Sequence, residues 1–340
     1  MSISYRSDID GLRAVAVLAV VIYHAGIDSF SLFTGGFLGV DVFFVISGFL
    51  ITQILLKELA ERRFSLASFY ERRIRRILPL LFTVKLVSIP FAWLLMMPRS
   101  VYEYSASIVS SFVFSSNIWF SLDEGYWAAD NSLKPFLHTW SLSVEEQYYL
   151  VFPLLLWWAW RYGKTFLLSF FSITFIVSLC WAQIWSVDSP TLSFYLLPTR
   201  FWEMLAGSMA AIYVVMFRSE SHKLSNSLIS TAGLVLVISA MFWFDKETLH
   251  PSLYTLVPII GTTLILTFPS PNALAYKVLS SKLMVQVGLL SYGAYLWHYP
   301  LFAFSQISEV FVDTSGRLLM IAVTFILSYV TYHLVEQPFR

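Results

Sequence analysis

Apolar runs of about 20 residues recur from one end of the chain to the other, and nothing else in it restricts the fold so strongly. A hydrocarbon core of about 30 Å takes roughly 20 helical residues to cross. Ten runs are read at residues 11–26, 37–56, 79–97, 140–160, 165–185, 198–217, 228–244, 254–268, 284–304 and 317–334. Of the 340 residues only 13% are charged, where soluble globular domains carry about 25%. The expectation is therefore an all-α polytopic membrane protein of about ten transmembrane helices, built as one domain over residues 1–340. A net charge of +1 gives no case for nucleic acid. The one cysteine, Cys180, cannot close a disulfide within the chain. No CxxC, HxxxH, GxSxG or phosphate loop occurs, so neither a metal centre nor nucleotide hydrolysis is expected. The first run carries Arg13 at its edge and is followed closely by others, so it reads as a retained span and not a removable leader.

Loop charges set the orientation, because Lys and Arg concentrate on the cytoplasmic side. Residues 57–78 carry Lys57, Arg62, Arg63, Arg72, Arg73, Arg75 and Arg76 and are placed inside. The stretch 102–120 is apolar but holds Glu103, Asn117 and many serines. If it crossed, the pairs Arg161/Lys164, Arg218/Lys223 and Lys277/Lys282 would fall outside. Residues 99–139 are therefore expected to form a long external, partly re-entrant segment, with both termini cytoplasmic.

An ionisable side chain inside a membrane helix is costly and marks a functional hypothesis. In GLRAVAVLAVVIYHAG, Arg13 and His24 are eleven residues apart, three turns plus about 20°, so they share a helix face about 16 Å apart along the axis. Asp10 falls near the same stripe. In SFYERRIRRILP, Arg73 and Arg76 are i, i+3 and Arg72 and Arg76 are i, i+4. They suit either anionic lipid headgroups or a phosphorylated cytosolic ligand. In the second run Asp41, Gly48 and Thr52 share a face, with Gly48 suited to close helix packing. In HTWSLSVEEQYYLVFP, Ser141, Glu145 and Tyr149 make an i, i+4, i+8 stripe. Glu145 reads either as an interfacial acid or as a partner that orients His24. Arg200 and Glu203 read as an intrahelical ion pair. His298 reads as a core histidine or a second imidazole of the site, and His333 with Glu336 as an anchor.

These segments, with RFWEMLAG, SYGAYLWHYP and the closing VEQPFR, occur in the order seen in the acyltransferase-three family, which the sequence resembles over almost its whole length. The resemblance is to bacterial membrane O-acyltransferases of the O-antigen or peptidoglycan acetylation type. It implies a multi-pass protein of the bacterial inner membrane. That protein would move an acetyl group from cytoplasmic acetyl-CoA to a hydroxyl of a cell-surface glycan, such as lipopolysaccharide O-antigen. By position, Arg13 and His24 match the family's arginine–histidine motif, Arg73 and Arg76 its RxxR pair, and Glu145 the glutamate of its SxE stretch. Family members occur alone or fused to an external SGNH-type domain. The end at VEQPFR, where fused members continue, reads either as that of a stand-alone member or, the suspected case, as a truncation that leaves the membrane part of a longer protein.

The expected mechanism has Arg73, Arg76 and Arg13 holding the acetyl-CoA phosphates. His24 serves as general base or acetyl relay, with Glu145 or Asp41 steadying its other nitrogen. Asp10, His138, Trp140 and His298 are the candidate substrate-binding residues. The alternative from the residues alone is a proton-coupled transporter of a small solute or lipid-linked sugar.

Overall fold

The computed structural model describes residues 5–27, 33–122, 130–217 and 223–339, and among them only helices and connecting turns occur. In chain order the helices begin with α1 (Ser7–Ala25), α2 (Gly39–Ala60), α3 (Leu66–Leu95) and α4 (Pro98–Phe112). They continue with α5 (Ser116–Leu122), α6 (Thr139–Trp160), α7 (Lys164–Asp188) and α8 (Pro190–Tyr195). Then come α9 (Leu197–Met216), α10 (Lys223–Trp243), α11 (Leu256–Thr267) and α12 (Leu274–Leu279). The last are α13 (Lys282–Leu289), α14 (Ser291–Ser308), α15 (Thr314–Thr331) and α16 (Gln337–Phe339). Each of the ten apolar runs falls on a helix, or for 284–304 on the pair α13 and α14. Five helical stretches are long and apolar enough to cross a membrane by length and composition: Gly36–Ala60, Leu66–Leu95, Lys164–Asp188, Ser225–Trp243 and Thr314–Phe339. The protein is membrane-embedded.

Residues 98–122 do not form a spanning helix. α4 and α5 are separated at Phe114, which sits at a left-handed φ of 52°. The basic stretch, by contrast, is not a loop. Ser65 caps α3 by accepting from the Ser68 amide, and the helix runs on through the arginines and through Pro79 and Pro90.

Contacts group the helices into two compact units. The first comprises Met1–Ala19, Leu32–Phe64 and Glu145–Leu289. Its core is built on Leu12, Val45, Phe49, Trp202 and Leu266. Two glycines let α2 and α9 touch backbone to backbone. A Cβ on Gly48 would lie 1.9 Å from the Met204 carbonyl oxygen, and one on Gly207 1.9 Å from that of Val45. Hydroxyls reinforce the seam, with Thr52 bonded to Ser208 at 2.8 Å and Ser208 to Tyr148 at 2.7 Å. Small residues with interhelical hydrogen bonds are how helices associate where there is no water to expel.

The second unit comprises Val20–Ser31, Ser65–Val144 and Leu290–Arg340. Leu80, Leu81 and Val84 of α3 meet Leu296 and Trp297 of α14, with Phe136 and Tyr104 closing the core. A buried cation crosses this unit. Lys85, 2% exposed, donates to the Ser111 hydroxyl and to the Ile108 carbonyl at 3.3 Å. Its Nζ also lies 3.7 Å from the centre of the Phe112 ring. These contacts tie α4 to α3, and a lone lysine in an apolar run gives no sequence sign of them.

Candidate functional site

Three histidines and two tyrosines converge in the second unit. His24 is in the last turn of α1 and is half-buried. His298 and its neighbours Tyr295 and Tyr299 come from α14. His138 stands just before α6 and is 2% exposed. The His24 and His298 rings are 5.3 Å apart, and Tyr299 meets His24 edge-on at 4.9 Å. His138 stacks on Tyr299 at 5.3 Å and 22° and lies 5.5 Å from His298.

Hydrogen bonds fix the proton positions. His298 Nδ1 lies 2.7 Å from the Tyr295 carbonyl and 3.2 Å from that of Ala294. Carbonyls only accept, so Nδ1 carries the hydrogen and the neutral ring has its lone pair on Nε2. That Nε2 is 3.3 Å from His24 Nδ1. His24 Nδ1 must then donate, which places the lone pair of neutral His24 on Nε2. A nitrogen in that state is what a general base requires. The backbone of α14 thus sets the tautomer of a residue on α1 through one intervening ring.

His138 is held by its main chain. Its carbonyl accepts from the Tyr295 hydroxyl at 2.9 Å and from Ser141 at 3.2 Å. Neither ring nitrogen has a hydrogen-bond partner among the described residues. Trp140, 7% exposed, is buried in the first turn of α6. Arg317 donates to the Ala25 carbonyl at 3.0 Å and to that of Gly26, closing the end of α1 directly after His24.

The arginines of α3 divide by face. Arg72 and Arg75 are exposed, whereas Arg73 and Arg76 are half-buried. Arg75 pairs with Glu71 at 2.7 Å across open surface. Arg73 lies 5.8 Å over the Phe69 ring. The i, i+3 spacing of Arg73 and Arg76 therefore makes one sheltered cationic edge, distinct from the exposed one.

The other candidates lie in the first unit. Asp10 accepts from Tyr5 at 2.7 Å and stands 3.8 Å from Arg13. Glu145 accepts from Ser47 and, at 2.5 Å, from Tyr149, so two of the three residues of the stripe read along α6 touch, while Ser141 bonds to the Tyr295 hydroxyl. Asp41 belongs to a closed network. Its Oδ1 is 3.1 Å from Arg200 Nη1 and 2.9 Å from His250 Nε2. Arg200, fully buried, also donates to Glu203 at 3.0 Å and to the Phe194 carbonyl at 3.0 Å. His298 lies at hydrogen-bonding distance from His24 Nδ1, a place that the sequence reading gave to Glu145 or Asp41. The ion pair read as Arg200–Glu203 gains Asp41 and His250, and spacing along the chain could reveal neither. No cluster that could hold a metal occurs among the described residues. His222 lies outside them.

The second unit holds both the imidazole cluster around His24 and the half-buried arginines of α3, and comparison with known proteins gives the class, acyl transfer. The chain belongs to the acyltransferase-three family, whose acyltransferase domain matches residues 6–333. It is 32% identical over 352 residues to the peptidoglycan O-acetyltransferase OatA of Listeria monocytogenes, covering 99% of this chain and 56% of that protein. It is 31% identical to the provisionally named peptidoglycan O-acetyltransferase YrhL of Bacillus subtilis, covering 99% and 55%. A provisionally named O-acetyltransferase of Staphylococcus aureus, SAS0844, is 31% identical, covering 99% and 57%. The chain thus spans a little over half the length of these relatives. No solved structure matches it significantly.

Proposed function

We propose that the protein transfers an acetyl group from cytoplasmic acetyl-CoA to a hydroxyl of a cell-envelope glycan at the bacterial inner membrane, with His24 as general base. The observation that carries this is the His298–His24 bond, which leaves the lone pair on His24 Nε2. As the acceptor hydroxyl attacks the thioester carbon, its proton passes to that nitrogen. The C–S bond then breaks, and the departing thiolate takes the proton back. His298 takes the positioning part that the sequence reading gave to Glu145 or Asp41. Arg73 and Arg76 supply the guanidinium forks that phosphates of the donor need, a part that the sequence reading also gave to Arg13. Relatives named for peptidoglycan favour that class of glycan over the O-antigen that the sequence reading also admitted.

The test is label transfer from radioactive acetyl-CoA to a soluble glycan fragment by the purified protein in detergent. His24→Ala should lose about 10²–10⁴ of the rate with expression intact, the usual share of a general base. His298→Ala should lower the rate by about tenfold or more and shift its pH profile, since it acts through His24. Full activity in His24→Ala would end the proposal. Translocation of a solute without transfer of label would support the transporter instead.

A further inference from the structure

A cleft of about 430 Å³ opens in the second unit between the end of α3, α4, α5, the turn before α6 and the end of α14. That volume is within the range of small-ligand sites, about 300–1,000 Å³. Its wall combines three aromatic rings, Tyr104, Trp119 and Phe120, with Glu103, Lys134, Gln306 and Glu309. Lys134 is 9% exposed. Sugars present flat apolar C–H faces ringed by hydroxyls that both donate and accept. An aromatic face edged by carboxylate, amide and ammonium groups complements such a ligand. Leu95, Met96, Met97 and Ile307 share the wall, so the acyl chain of a lipid is the competing occupant that the experiment separates.

A second observation ties the cleft to the imidazoles. Lys134 and Pro135 line it, and His138 follows Pro135 by three residues, at most about 11 Å of chain. Tyr299, on which His138 stacks, donates to the Asn131 carbonyl at 3.0 Å, so the same segment is pinned to α14 at both ends. His138 is buried with both ring nitrogens unpartnered among the described residues. Buried polar groups are almost always hydrogen-bonded. A neutral imidazole offers one donor and one acceptor, which a hydroxyl matches with its own acceptor and donor.

We propose that this cleft is the acceptor subsite. It would hold one or two rings of the glycan against Trp119 and lead a hydroxyl towards His138 and the His24–His298 pair. The proposal rests on the reading of the protein as a glycan O-acetyltransferase and adds where the acceptor binds.

The experiment uses the full chain in detergent with a tetrasaccharide of N-acetylglucosamine as acceptor. Trp119→Ala and Gln306→Ala should each raise the acceptor KM by about tenfold and leave the acetyl-CoA KM unchanged. A Ser100→Cys variant reports on the cleft without donor, because Ser100 lies in its wall. The tetrasaccharide should slow maleimide labelling of that cysteine. Unchanged acceptor KM in both substitutions, or protection of the cysteine by phospholipid and not by the sugar, would overturn the subsite while leaving the transfer reading intact. Protection by the sugar without any acetyl transfer in the unsubstituted protein would support the subsite and remove the transfer reading.

Discussion

His250 shows how one side chain's protonation is set by what surrounds it. It stands between α10 and α11, where its ring is 10% exposed. Burial holds its pKa below the ordinary imidazole value of 6.5. The Arg200 charge pushes the same way, against the opposing pull of Asp41. The ring is therefore neutral at neutral pH, donating through Nε2 to Asp41 and accepting at Nδ1 from Arg200, 3.2 Å away. Glu203 completes the charged surroundings through Arg200. The sign follows from linkage. Below 6.5 the unfolded chain takes up a proton that the folded chain refuses until lower pH. The contribution to stability is complete above 6.5 and is lost as pH falls below it. The unfolding midpoint in detergent should therefore drop between about pH 7.5 and pH 5, and the drop should be smaller in His250→Gln. An equal drop in both proteins would remove His250 from the account. Arg200 is the keystone of the same network. Its removal would leave two carboxylates buried without their cation, a change that costs about 3–5 kcal/mol in comparable sites.

Helix α3 shows what spacing along one element can and cannot disclose. The pairing of Arg73 with Arg76 was legible, because i, i+3 residues share a face whatever surrounds the helix. Which face is sheltered was not legible, since that depends on what packs against α3. The structure separates them: Arg75 pairs with Glu71 in the open, while Arg73 and Arg76 are half-buried. The two readings of the basic segment, lipid anchor and phosphate site, can therefore be tested on different faces. Replacing Arg73 and Arg76 by Gln should raise the acetyl-CoA KM by about tenfold or more with kcat little changed, the mark of lost ground-state binding. Replacing Arg72 and Arg75 should leave that KM alone and weaken association with anionic lipid nanodiscs. An acetyl-CoA KM equally affected by both pairs would return all four to the anchor role. The same limit explains the rest of the site. His24 and the apolar runs were readable from local pattern. The His298 contact joins residues 274 positions apart, and the His250–Asp41 contact joins residues 209 apart. No periodicity within an element carries such information. Lys85 escaped notice for the same reason, because its partners Ser111 and Phe112 lie on a different helix.

At the scale of the whole molecule the decisive quantity is which side of the membrane each connection faces, for a donor from the cytoplasm requires the arginines of α3 to face it. Five helical stretches are long and apolar enough to cross by themselves. Three of the remaining runs carry polar networks: Asp8, Asp10 and Arg13 in α1, Glu145 in α6, and Arg200 with Glu203 in α9. These are the residues that the fold buries or half-buries in protein. Their helices would cross as inner members of the bundle, where a charge can be paired. On that arrangement the positive-inside rule would place the turn between α12 and α13, flanked by Lys277 and Lys282, on the cytoplasmic side, and the connection from α10 to α11 outside. Cys180 can first be replaced by Ser to give a silent background. Ser281 and Glu247 are exposed in those two connections, so single Ser281→Cys and Glu247→Cys variants sample opposite faces. A membrane-impermeant maleimide added to intact cells should label Glu247→Cys at once and Ser281→Cys only after lysis. The reverse pattern would invert the bundle, put Arg73 and Arg76 on the outer face, and leave a cytoplasmic thioester with no cationic edge to meet. Labelling of both in intact cells would mean that the chain crosses an even number of times between residues 247 and 281, so that α11 does not span, and that count would break the alternation on which the donor's route depends.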